Sequence, residues 1–211
     1  MRTRPVLTWI ALLGGEACLA ALTIGVFWYQ DWRYSLPTPR PAALVQPELG
    51  SLISLDELVR DSSRPVWLHF FNPNCPCSQF NLDHVRNVIA QFGDRVQVVA
   101  VLEATAPVHL ETWAKFHLNC PAVVDEGGAI AKRAGVYATP QGVVLDEHRR
   151  LYYRGNYNLA RYCTAEETEF VRLAIEGCLA HQPAGSLPTA ASVAVGCELP
   201  ANRLLAKESR P

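Results

Sequence analysis

The residues best suited to chemistry lie in one short segment, residues 70–78, whose sequence is FFNPNCPCS. The segment follows an apolar run typical of a buried strand and precedes a helical pattern. A cysteine at that junction faces unpaired backbone N–H groups and the positive end of the helix dipole, which favour the thiolate. Cys75 and Cys77 are separated by one residue, so a bond between them closes almost no loop and adds little stability. The segment therefore predicts reactive thiols rather than a structural disulfide.

Strands and helices alternate around this segment, from residue 51 to residue 182. Buried strands are apolar runs, and helices show apolar residues at helical spacing. The predicted strands cover residues 65–71, 96–102, 121–125, 142–146 and 151–154, and the main predicted helices cover 76–92, 129–134 and 164–181. This order predicts an α/β domain with a mainly parallel sheet and helices on both faces.

A second motif, GVYATP at residues 135–140, precedes the strand at 142–146. Together with FFNPNCPCS and the order of elements, it resembles the thioredoxin-like superfamily. The resemblance implies a thioredoxin-like fold, a cis peptide bond between Thr139 and Pro140, and packing of that loop against Cys75. The separation of 65 positions from Cys75 to Pro140 leaves room for an extra strand–helix unit. That spacing is similar to the membrane-anchored TlpA-like and peroxiredoxin-like branches.

The cysteine motif differs from the Cys-x-x-Cys form that is common in this superfamily. Cys75 takes the place of the first, nucleophilic cysteine, Ser78 takes the place of the second, and Cys77 lies one residue early. Three mechanisms remain open. Cys75 and Cys77 form the redox disulfide, which is the preferred reading, or Cys75 acts alone with a hydrogen bond from Ser78. Otherwise a remote cysteine such as Cys163 or Cys197 resolves Cys75.

A histidine lies within the strand that leads to the cysteines. His69 matches the place of a buried acid that moves protons in thioredoxins, and the intrinsic pKa of histidine is near neutrality. It is therefore a candidate proton carrier. A strand histidine with a satisfied hydrogen bond is an equally good reading.

Cys197 lies in a tail, residues 183–211, that has no periodicity and is expected to be loosely ordered. A lone cysteine in an oxidising compartment needs a partner. The sequence suggests a structural disulfide from Cys197 to Cys163, or else to Cys178. Cys178 and Cys120 have apolar neighbours and are expected to be buried.

The N-terminus contains a run of 24 residues, Val6 to Tyr29, with the single charge Glu16. At about 1.5 Å per residue this run is long enough to cross a bilayer. Arg2 and Arg4 precede the run, so the positive-inside bias places the N-terminus in the cytoplasm. Residues 1–30 are therefore predicted to form a cytoplasmic end followed by a transmembrane anchor. Four prolines make residues 31–50 a semi-rigid linker. The expected location is the inner membrane, single-pass, with the C-terminal domain in the periplasm. A cleaved signal peptide is the alternative.

Charge and composition narrow the function. The chain has 211 residues, 49% of them hydrophobic, with 19 basic and 20 acidic side chains. It can bury a core, and it has no basic field for nucleic acid. The preferred reading is a thiol–disulfide oxidoreductase that acts on periplasmic protein thiols or disulfides without a cofactor or metal. The alternatives are a copper-binding thioredoxin-fold chaperone with His109 as third ligand, a thiol peroxidase aided by Arg64 or Arg133, and a non-catalytic scaffold.

Overall fold

The structure is a computed structural model, and it describes residues 4–55, 58, 63–103, 113–160 and 165–202. The chain divides into two compact units, Met1–Leu36 and Pro37–Pro211. The first unit is helical, and the second contains both sequence motifs, residues 70–78 and 135–140.

The first unit is built from one long apolar helix. Helix α1 spans Arg4–Phe27, a π-helical turn follows at Trp28–Trp32, and a last helical turn covers Arg33–Ser35. The stretch Val6–Ser35 has a mean hydropathy of 2.0 over its most apolar window and is long enough to cross a membrane. A signal sequence has the same properties, so length and composition define a candidate span.

The second unit is organised around a five-stranded mixed sheet. Its strands run in the order β3-β2-β1-β5-β6, with β1 to β3 parallel and β5 and β6 antiparallel to their neighbours. They span Val66–Phe71 (β1), Gln97–Glu103 (β2), Ala122–Asp125 (β3), Gln141–Leu145 (β5) and Leu151–Gly155 (β6). This is the thioredoxin-like fold that the two motifs implied. Strand β3 lies at the edge and supplies the extra strand for which the spacing left room.

Helices cover both faces of the sheet. Alternate residues of β1 point to opposite faces, and the apolar side chains on each face pack against helices. Trp67 and Phe71 pack with the helices at Leu82–Phe92 (α3) and Phe170–Leu179 (α5), whereas Leu68 and Phe70 pack with the helix at Ala129–Ala134 (α4). All six β1 residues are buried. Both ends of this central strand are therefore held by close packing, including the end that leads to Cys75.

Two helices begin or end differently from the sequence prediction. The helix expected over residues 76–92 is divided into α2 (Pro76–Phe80) and α3, with Asn81 between them. In the region of the helix expected over residues 164–181, a 3-10 turn at Glu166–Thr168 precedes α5, which spans Phe170–Leu179. The apolar periodicity does not show these interruptions, because they preserve the buried face of each helix.

The structure corrects the expectation of a loosely ordered tail for residues 183–202. A 3-10 turn at Thr189–Ala191 and strand β7 (Cys197–Glu198) lie in this segment, and β7 pairs antiparallel with β4 (Ala138–Thr139). Leu199 is buried. The tail folds back because its small residues fit closely against the domain, a contact that leaves no periodicity in the sequence.

The linker is also partly incorporated into the domain. The backbone N–H of Thr38 donates to the carbonyl of Ala194 at 2.8 Å, and Pro37 forms a β-bridge with Val195. Leu44 is buried against Tyr137 and its neighbours. Thr38 and Leu44 thus attach part of the predicted linker to the domain, where linker and tail satisfy some of each other's backbone groups.

Candidate functional site: a disulfide at the cis-proline loop

The centre of the site is a disulfide between Cys75 and Cys197. Cys75 is the N-cap residue of α2, and its carbonyl accepts the N–H of Gln79 at 3.2 Å. Its Cα lies 6.1 Å from the Cα of Cys197, although the two residues are 122 positions apart. Cys75 is 2% exposed. The tail thus places Cys197, which is remote in sequence, in a bond with Cys75, the cysteine that the sequence identified as the candidate nucleophile.

Cys77 lies beside this disulfide without being part of it. Its side chain is buried, and the Sγ atoms of Cys75, Cys77 and Cys197 lie within 4.8 Å of one another. The three cysteine sulfurs therefore form one cluster. The structure pairs Cys75 with Cys197 and not with Cys77, which corrects the preferred reading of the motif.

The loop before β5 forms one wall of the site. The peptide bond between Thr139 and Pro140 is cis, as the resemblance implied, and the Sγ of Cys75 lies 3.5 Å from the carbonyl oxygen of Thr139. Thr139 also pairs directly with Cys197 across the β4–β7 ladder. The loop thus contacts both ends of the disulfide.

The approach of the tail to this loop requires glycine before the cysteine. Gly196 has a φ of +139°, and a Cβ built there would lie 2.3 Å from the carbonyl oxygen of Thr139. Any side chain would push the two backbones apart. Glycine lets β7 approach the cis-proline loop closely enough for Cys197 to reach Cys75.

Three side chains anchor the tail on both sides of Cys197. Leu199 is 3% exposed in the core, and its N–H donates to the carbonyl of Tyr137 at 3.1 Å. The amide of Asn202 donates to the same carbonyl at 2.8 Å. Asn156 donates to the carbonyl of Val193 at 2.6 Å and accepts the N–H of Val195 at 3.2 Å. Sequence reasoning missed these anchors; their one visible signal was the turn composition around Asn156.

Ser78 and its neighbours support the cysteine loop. Ser78 is buried, and its Oγ accepts the backbone N–H of Asn72 at 3.4 Å. The side-chain amide of Asn72 donates to Glu103 at 3.0 Å, and the backbone carbonyl of Asn72 accepts the N–H of Cys75 at 3.0 Å. The observed bond of Ser78 is thus to the loop backbone, which fixes the path of the chain into Cys75.

Glu103, at the end of β2, is a titratable group that sequence reasoning missed. Burial raises the pKa of Glu103 to about 7, although the Ala201 backbone and Asn72 oppose the shift by hydrogen bonding. Glu103 lines a small cavity with Thr139 and Leu199, beside the disulfide. A carboxyl group that titrates near neutral pH therefore lies under the tail.

His69 is fully buried in β1, where its Nδ1 is hydrogen-bonded to the hydroxyl of Tyr157 at 2.6 Å. Burial lowers the pKa of His69 to about 3, with a smaller contribution from His84. Near neutral pH the imidazole is uncharged. The free-solution pKa that suggested a proton carrier does not apply at this position.

Cys178 and Cys120, the other described cysteines of the second unit, lie outside the group of three sulfurs. Cys163 lies outside the described residues, and its suggested partner Cys197 is bonded to Cys75. Cys178, the second suggested partner, is buried on α5 and is not disulfide-bonded. Burial raises the pKa of Cys178 and of Cys120 to about 12, so both thiols stay protonated near neutral pH.

The side chains invoked by the alternative functions are two arginines and one histidine. Arg64 donates to the carbonyl of Asp94 and Arg133 to that of Ser54, each at 3.0 Å. The observed bonds of these two cations are thus to backbone oxygens. His109, the suggested third copper ligand, lies outside the described residues.

The fold and the disulfide at the cis-proline loop define a domain of thioredoxin-like fold in which Cys75 is bonded to a cysteine remote in sequence. The chain belongs to the family described as "Domain of unknown function (DUF6436)", whose model matches residues 49–198. No curated protein matches the sequence.

Solved structures with the same fold come from distant relatives. A hypothetical protein from Sinorhizobium meliloti 1021 is 20% identical with a TM-score of 0.61, and the match covers 74% of this chain and 95% of that one. An uncharacterized conserved protein from Geobacillus kaustophilus is 18% identical with a TM-score of 0.57, covering 76% and 91%. These similarities establish the fold alone, so the chemistry has to be inferred from the residues of the site.

Proposed function

We propose that this protein is a membrane-anchored thiol–disulfide oxidoreductase of the periplasm in which Cys75 attacks and Cys197 resolves. The observation that carries the proposal is the bond between these two residues at the cis-proline loop. A disulfide whose only role was to attach the tail to the domain would not have to lie next to the cis-proline loop. The edge strand β3 supports a place in the TlpA-like or peroxiredoxin-like branch.

The reaction is a reversible exchange of two electrons. The Cys75 thiolate attacks a disulfide of a partner protein, forming a mixed disulfide and releasing one partner thiolate. The Cys197 thiolate then attacks the Cys75 sulfur and releases the second partner thiolate. The partner is reduced to its dithiol, and this protein is left with the Cys75–Cys197 disulfide. The reverse sequence oxidises a partner dithiol.

The tail strand controls access in this mechanism. In the oxidised form β7 occupies the edge of β4, where an extended partner segment would pair with the loop. Exchange with a protein disulfide therefore requires β7 to move away from Thr139 for the first step and to return for the second. Strand displacement is feasible because the ladder is only two residues long.

The proposed location follows from the first unit. The Val6–Ser35 helix acts as an uncleaved anchor, and the paired arginines before it keep the N-terminus in the cytoplasm. Protease added to spheroplasts is expected to remove the second unit and leave a membrane-bound fragment. A mature protein that begins after the apolar run, shown by its intact mass, would establish a cleaved signal instead.

The decisive experiment maps the bond in full-length protein held in detergent. The protein is equilibrated in glutathione buffers, alkylated, and analysed by peptide mass. We expect a reversible Cys75–Cys197 bond in the wild type and in Cys77→Ser, and its loss in Cys197→Ser. Cys178→Ser is the matched control, since it removes a buried thiol outside the site.

Two results would contradict the proposal. A bond between Cys75 and Cys77 in the wild type would remove Cys197 from the resolving role. A Cys75–Cys197 bond that never exchanges with glutathione or a protein dithiol in the folded protein would leave a purely structural staple.

A further inference from the structure

The structure brings three cysteine sulfurs to one point, and this arrangement goes beyond the proposed exchange reaction, which uses two of them. We propose that, once the disulfide is reduced, Cys75, Cys77 and Cys197 together bind a single Cu(I) ion. Their Sγ atoms lie within 4.8 Å of one another in the oxidised form. Breaking the bond lets two of them separate to the spacing that a metal ion between them requires.

The donor set selects the metal. Among the described residues, this group contains three thiols and no imidazole or carboxylate. Thiolates are soft ligands that favour Cu(I), whereas structural Zn(II) sites are almost always four-coordinate. Three sulfurs, with no fourth ligand among the residues that the structure describes, therefore fit Cu(I) better than Zn(II).

The third ligand is held in place by contacts that do not depend on the disulfide. Strand β7 pairs with β4, Leu199 is buried in the core, and Asn202 donates to the carbonyl of Tyr137. These contacts hold Cys197 near the other two sulfurs in the reduced protein, and β7 leaves this position only when a partner disulfide displaces it. A pre-arranged ligand loses less conformational freedom on binding, so Cys197 adds directly to affinity.

Burial protects the ion. Cys75 and Cys77 are 2% and 4% exposed, and Cys197 is half-buried. Two of the three sulfurs are shielded from bulk water and oxygen. The site therefore suits the monovalent state, which oxygen readily oxidises in open solution.

Binding and redox state are coupled by a simple balance. A dithiol reductant supplies two electrons and two protons to open the Cys75–Cys197 bond. Cu(I) then replaces up to three thiol protons as the thiolates coordinate. A partner disulfide then takes two electrons from Cys75 and Cys197 and is itself reduced to a dithiol, while these two residues re-form their bond. Cys77 is left as the one remaining sulfur ligand, so oxidation releases the ion.

The test titrates Cu(I) into full-length protein in detergent, anaerobically, after reduction with a phosphine and its removal. A chromophoric Cu(I) chelator reports affinity, and X-ray absorption counts the sulfurs. We expect one ion with three sulfurs in the wild type. Cys77→Ser and Cys197→Ser should each leave two sulfurs and weaken binding by about tenfold or more, whereas Cys178→Ser should match the wild type.

Other outcomes separate this proposal from the oxidoreductase. Two-sulfur binding that is unchanged in Cys197→Ser, or tighter binding of Zn(II) than of Cu(I), would overturn the three-sulfur site. Cys77→Ser distinguishes the two functions, since it should lose copper affinity and keep the Cys75–Cys197 bond. A protein that exchanges disulfides but binds no Cu(I) would refute the copper site alone.

Discussion

Thr139 pairs with Cys197 across a two-residue ladder while its carbonyl oxygen lies 3.5 Å from the sulfur of Cys75. One residue thus positions both halves of the disulfide. Because the contacts are made by backbone groups, they depend on the path of the chain and not on the threonine side chain. Changes in the tail path should therefore alter the redox chemistry without touching either sulfur.

Gly196→Ala should make the Cys75–Cys197 disulfide easier to reduce. The new Cβ would meet the carbonyl oxygen of Thr139 at 2.3 Å, so β7 must move away and Cys197 becomes a less effective partner. We expect the equilibrium constant with glutathione to fall by about tenfold. Gly185→Ala is the matched control, since Gly185 also has a positive φ but meets only a side chain at 3.4 Å. Equal behaviour of the two variants would show that β7 does not position Cys197.

Leu199→Ala should detach the tail through the core rather than through the backbone. Leu199 is 3% exposed, and truncating a buried leucine typically costs about 2–5 kcal/mol. Limited proteolysis of the reduced protein should then cut the tail faster than in the wild type. Val193→Ala provides the comparison, because Val193 is 41% exposed in the same segment. If the two variants are cut at the same rate, the burial of Leu199 does not anchor the tail.

Glu103→Gln should flatten the dependence of stability on pH. Burial raises the pKa of Glu103 from 4.5 to about 7, so the folded state holds this proton more tightly than the unfolded state. The associated stability is present below about pH 4.5 and is lost as pH rises through about 7. The full shift corresponds to about 3 kcal/mol, and solvent screening of a partly exposed carboxyl reduces the expected loss to about 1–2 kcal/mol. Denaturant unfolding at pH 5 and pH 8 measures the difference. A variant with the wild-type pH slope would show that Glu103 is not the group responsible.

His69 should remain uncharged throughout the physiological pH range. Burial lowers the pKa of His69 from 6.5 to about 3, so its ring nitrogens should show no protonation step in NMR between pH 8 and pH 5. Below pH 6.5 the unfolded chain takes up a proton that the folded chain refuses, and stability falls with acid. His69→Gln should reduce that acid sensitivity. A protonation step of His69 above pH 5 would contradict the buried assignment.

Local patterns in the sequence determined a large part of the fold. The buried strands, the hairpin of β5 and β6, and the junction at Cys75 each follow from the types and spacing of adjacent residues. The cis bond at Pro140 came with the family resemblance. These features could be predicted because strand and helix periodicity and turn chemistry are short-range properties of the chain.

The partner of Cys75 was decided only by the tertiary structure. Cys197 lies in a stretch without periodicity, and its place depends on Gly196 meeting Thr139 and on Leu199 reaching the core. The same holds for Glu103 and His69, whose pKa shifts arise from burial that only the packed layers create. The sequence identified Cys75 as the candidate nucleophile, since local backbone geometry places it at the start of a helix. Tertiary packing determined what that sulfur meets, because distant segments find each other through shape and backbone hydrogen bonds.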